Sequence, residues 1–170
     1  MSYEEYLQCR TMHIIIAIFY NDTVFETVLK GIRSNGMSVF RWLELIEDSA
    51  KGTDFESVFK GFRQHTRDEL WKDRKELEAF IQRPGVIDRY RKGEIGFNLL
   101  YTFKAIALVE YFSAVIDVVR VATNRLIKET FGNNQELLDF FEAIILWDTC
   151  RISNIVYDLD REITSTIAYD

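Results

Sequence analysis

A single proline, Pro84, interrupts this 170-residue chain, and its eight glycines fall one at a time. Over most of its length, then, nothing removes a backbone donor or frees φ. Such a chain favours long helices over short strands and tight turns. Thirteen Phe, eight Tyr and three Trp supply material for a core, so global disorder is not expected. The length suits one domain, residues 1–170, able to bury that core.

Start and stop signals recur along the sequence. Ser2-x-x-Glu5 fits a capping box and opens a helix over Tyr3 to Tyr20. Asp22 is placed to cap a second helix carrying Val24, Phe25, Val28, Leu29 and Ile32, which Asn35-Gly36 ends. Ser38 caps a third, carrying Phe40, Trp42, Leu43 and Ile46, which stops before Gly52. Thr53-Asp-Phe-Glu56 offers a second capping box, for a fourth helix running toward Gln82. Arg83-Pro84-Gly85 must break it, because the residue before proline leaves the helical region.

Val86 to Lys92 has room for a turn or two of helix. Phe97 to Phe131 then reads as one long central helix, with Leu100, Phe103, Ala107, Tyr111, Val115, Val119 and Leu126 on its apolar face. Gly132 stops it, and Asn133 or Asn134 caps the last helix. Leu137, Phe140, Phe141, Ile144, Ile145 and Trp147 are expected to pack inward from that helix. Ile163 to Tyr169 alternates and is rich in β-branched residues, a strand signal. The expected fold is an all-α, irregular bundle of five to six helices with a short C-terminal strand.

The chemistry-bearing residues are sparse. Cys9 and Cys150 stand far apart, without a C-x-x-C pair, as two reduced thiols of a cytoplasmic protein would. Cys9 and His13 share a helical face, but a zinc site needs three or four ligands, and His65 and Cys150 would have to converge on them by folding. Neither histidine follows the Glu of an E-x-x-H motif. The carboxylate pairs Glu4/Glu5, Glu136/Asp139 and Asp158/Asp160 suit solvated helix starts and faces better than acid–base work. No G-x-S-x-G elbow or glycine-rich phosphate loop occurs. The expectation is therefore no catalytic, cofactor-binding or metal site within these residues.

Net charge of −6 argues against nonspecific nucleic-acid binding. Lys60 to Lys92 is locally basic, yet acids are interleaved, and Lys72–Glu76 and Arg74–Glu78 stand four apart as helix ion pairs do. Arg89, Tyr90, Arg91 and Lys92 are the stronger candidates for partner contact. In the most apolar stretch, residues 95–122, Lys104, Glu110, Asp117 and Arg120 weigh against a membrane span. No secretory leader is evident.

One resemblance gives these features a context. Ser2, Glu4, Glu5, Tyr6 and Arg10, followed by Phe19-Tyr20-Asn21, are similar to a helix and turn after the catalytic barrel of cobalamin-binding-type radical SAM proteins. The likeness extends to Gly36-Met37-Ser38 and, faintly, to Ile163–Asp170. It implies a C-terminal helical domain whose barrel and cobalamin-binding fold precede Met1. The parent would use S-adenosylmethionine and a 4Fe-4S cluster, with cobalamin as the optional third cofactor, for radical chemistry on a small molecule. The domain itself would cap the barrel, shape substrate access or hold a partner, namely the parent's own N-terminal domains or a second copy. The competing reading is a free-standing helical interaction or regulatory module.

Overall fold

The computed structural model describes residues 2–71 and 73–156. It is all-helical among those residues: α1 (Tyr3–Phe19), a 3-10 turn (Asn21–Thr23), α2 (Glu26–Ser34), α3 (Val39–Ala50), α4 (Glu56–Asp68), α5 (Arg74–Ile81), α6 (Val86–Arg91), α7 (Leu99–Val109), α8 (Phe112–Phe131) and α9 (Gln135–Val156). Nine α-helices thus stand where five or six were expected. The strand expected over Ile163–Tyr169 lies outside the described residues. No helix among them is long and apolar enough to cross a membrane.

Several caps form as the residues dictate. Glu5 N donates to Ser2 Oγ at 3.3 Å while Ser2 N donates to Glu5 Oε2 at 2.6 Å, closing the capping box. Ser38 caps α3 through Arg41 N, and Asn134, rather than Asn133, caps α9 through Leu137 N. After α2, Gly36 turns left-handed at φ 70° and Met37 N reaches back to Ile32 O.

Other expectations fail, for identifiable reasons. Asp22 does not cap α2: it sits at φ 58°, its carboxylate 2.7 Å from Lys104 Nζ on α7. Thr53 forms no capping box either. Its hydroxyl donates back to Ala50 O, while Glu56 Oε2 accepts from Gly52 N. The helix read as reaching Gln82 ends at Asp68, because Asp73 takes Glu76 N and caps a separate α5.

The long helix also divides, at Glu110–Tyr111, where Tyr111 turns to φ −114°, ψ 21°. An unbroken helix over residues 97–131 would run about 50 Å, longer than a domain of this size can cover. Dividing it lets α7 pack on α1 and α4 while α8 packs on α3 and α9.

The core gathers around Phe19, the last residue of α1. Its ring lies 5.7 Å from Phe25 and meets Trp42 and Phe55 edge-on at 6.3 and 5.9 Å. Trp42 Nε1 donates to Thr123 Oγ1 at 3.0 Å, so the indole is buried without an orphan donor. The pair α5 and α6 lies outside this core and buries only Val86.

Candidate functional site

The most elaborate polar site is at the end of α9. Its inward stripe runs Phe141, Ile145, Asp148, Ile152, all buried, so one carboxylate takes a place that the pattern gives to an apolar side chain. Asp148 is 0% exposed, and its Oδ2 accepts from Thr27 N and Val28 N, both at 3.0 Å. It is the N-cap that α2 lacks locally, since Phe25 has no capping side chain. Negative charge at a helix start is favourable on its own account. Arg151, one turn on, pairs with Asp148 Oδ1 at 3.2 Å and donates to the carbonyls of Thr23 and Val24. The 3-10 turn has Asp22 and Thr23 at positive φ and is therefore pinned from α9 by a guanidinium and from α7 by Lys104. All of these bonds are internal, which makes the pair a structural clamp with no free acid or base. In the sequence, an acid within Ile144-Ile145-Leu146-Trp147-Asp148 was the signal that could have found it.

Three of the concavities on the surface of the described residues bear on function. A polar groove of about 780 Å³ runs between the α3–α4 connection and the α7–α8 corner, past Thr53, Asp54, Ser57, Glu110, Ser113 and Asp117. Its charges are largely engaged: Lys60 pairs with Glu56 at 3.0 Å and Asp117 with Arg120 at 2.9 Å. The hydrogen bond from Lys60, and then the one from Gly52 N, holds the Glu56 carboxyl below the usual range. An aromatic pocket of about 420 Å³ lies between α5–α6 and the main bundle. A third hollow, about 400 Å³, is lined by Asn35, Phe131, Leu137 and Phe140.

That third hollow continues onto an apolar stripe. Phe140, Ala143 and Trp147 follow one another at helical spacing on the outer face of α9. Phe140 is 47% and Trp147 49% exposed, against the expectation that both pack inward. The reason is geometric: Phe141, Ile144 and Ile145 fill the inner face, where Gly31 of α2 approaches so closely that a Cβ there would stand 2.8 Å from Ile144 Cδ1.

The remaining sequence candidates are dispersed. Cys9 and His13 are exposed on α1, His65 is exposed on α4 with Nδ1 3.0 Å from Gly61 O, and Cys150 is half-buried on α9. Among the described residues no group of three or more His, Cys, Asp or Glu is placed to hold a metal. Glu5 serves the Ser2 cap, Glu4 lies 3.9 Å from Arg67, and Asp139 accepts from Gln135; Asp158 and Asp160 lie outside the described residues. In the basic segment, Arg74–Glu78 forms at 2.7 Å, Arg89 pairs with Glu94 and Arg91 with Asp88. Lys72 is not among the described residues.

No family model, curated protein or solved structure matches this chain.

Proposed function

We propose that this chain works by contact, as an α-helical binding module whose principal contact face is the outer stripe of α9. The observation that carries this reading is the exposure of Phe140 and Trp147 on that stripe, beside the hollow that Phe131 and Leu137 line. Exposed aromatics grouped in this way mark interfaces more than they serve a free surface. Phe140→Ser with Trp147→Ser should leave the thermal midpoint nearly unchanged, because surface substitutions typically move stability by less than about 0.5 kcal/mol. The wild type is expected to self-associate with rising concentration in sedimentation, and the same double variant should abolish that association. A variant that associates just as strongly would refute this assignment of the face, and a wild type monomeric at every concentration would refute a second copy as its occupant.

The narrower form of the proposal is the non-catalytic accessory domain of a cobalamin-type radical SAM enzyme. Its support is the Ser2–Glu5 box and the Phe19-Tyr20-Asn21 turn, on which the resemblance rests. In that setting the partner is the parent's own preceding domains, and S-adenosylmethionine, the 4Fe-4S cluster and cobalamin are the parent's cofactors. In-frame coding for C-x-x-x-C-x-x-C upstream of Met1 decides for it, and an authentic start codon at Met1 decides for the free-standing module.

A further inference from the structure

The pocket between α5–α6 and the main bundle is walled by aromatic rings. Trp71 and Phe80 lie 4.5 Å apart, centroid to centroid, with their planes inclined by 35°. Tyr90 and Phe97 contribute two more rings, over a floor that includes the buried Leu99. Gly96 permits this arrangement: it sits at φ +76°, and a Cβ there would stand 2.4 Å from Tyr90 Cε1.

The described lining of the pocket includes two carboxylates and one imidazole, that of His65. Asp68 and Glu69 line it where α4 ends. The terminal carbonyls of that thirteen-residue helix add partial negative charge at the same place. None of the described residues lining the pocket is a lysine or an arginine. The faces of aromatic rings attract cations; Phe80 is already engaged by the Arg83 guanidinium at 5.6 Å and by Trp71, so Trp71, Tyr90 and Phe97 are the rings that would meet a ligand cation. A volume of about 420 Å³ falls within the range of small-ligand sites.

We propose that this pocket binds a small organic cation with a methylated ammonium head. A quaternary ammonium suits it for a physical reason. Its methyl groups spread the charge, so it loses little hydration on entering an apolar wall, and the rings and rim carboxylates then meet that charge directly. A primary ammonium, being strongly hydrated, pays more to enter. The site is separate from the α9 face, and neither reading depends on the other.

The test uses choline and its uncharged isostere 3,3-dimethyl-1-butanol, titrated into the full chain by calorimetry. Choline is expected to bind, and the isostere to bind roughly tenfold more weakly or worse, since the shape is kept and the charge removed. Trp71→Ala should abolish choline binding with the circular dichroism spectrum unchanged, whereas Phe40→Ser, on the exposed start of α3, should preserve it. The double variant Asp68→Asn, Glu69→Gln should weaken choline and leave the isostere as it was. Equal binding of the two probes would mean an apolar pocket with no cation preference. That result, failure of choline to bind, or choline binding that survives Trp71→Ala would each overturn the proposal.

Discussion

At the scale of single residues, Asp148 connects elements that the chain keeps far apart. Its two amide partners lie 121 and 120 positions earlier in sequence, and its carboxylate also neutralises Arg151. Removing it would leave two helix-start amides without an acceptor and a half-buried guanidinium without its counter-charge. Asp148→Ala should therefore cost about 3 kcal/mol in urea unfolding. Asp148→Asn, which keeps an acceptor oxygen and loses the charge, should cost distinctly less. Equal effects from the two would show that the charge, and not the cap, carries the stabilisation. Arg151→Lys should fall between them, because an ammonium cannot hold the Thr23 and Val24 carbonyls and the carboxylate with one planar fork.

At the scale of elements, α2 and α9 approach closely because Gly31 has no side chain. Gly31→Leu must push the two helices apart or distort Ile144 and Phe141, and a loss of about 1–3 kcal/mol is expected by denaturant titration. An unchanged midpoint would mean that the contact yields freely. This scale also shows what the sequence carries. The Ser2 box, the Ser38 cap, the Asn35-Gly36 end and the Pro84-Gly85 break were readable because each is settled within four or five residues. The corner at Glu110–Tyr111 was not, since no breaker marks it and the need to wrap α7 and α8 over different neighbours creates it. Asp22 and Thr53 looked like caps by type, but Lys104 and the Ala50 carbonyl claimed their side chains first. The outward turn of Phe140 and Trp147 was hidden for a related reason: α9 is apolar on two faces, and composition does not say which of them meets the bundle.

At the scale of the whole molecule, exposed ion pairs tie the outer turns together. Arg41 of α3 grips Glu129 of α8 through two hydrogen bonds, at 2.9 and 3.0 Å. The hydrogen bond from Arg41 holds the Glu129 carboxyl below its ordinary 4.5, and the hydrogen bond from Lys51 holds Asp48 below 3.8. A carboxyl whose folded value is depressed binds its proton more readily when unfolded. Its contribution is thus present above the ordinary value and is lost as pH falls through the folded one. Urea midpoints should accordingly be level near neutrality and decline below about pH 4.5, less steeply in high salt, which screens exposed pairs. Glu129→Gln should make the acid limb shallower; an unaltered slope would remove this pair from the account.

The clamp at Asp148 has a further consequence, for how the protein is made. The first helices leave the ribosome long before residues 148 to 151 are joined to the chain. Until then the start of α2 has no cap, and the left-handed turn before it has only the Lys104 contact to come. A nascent chain halted anywhere short of α9 would have Phe25 on Phe19 but would lack the larger face that α9 lays over α2. The start of α2 is thus finished only once α9 has been made, some 120 residues later.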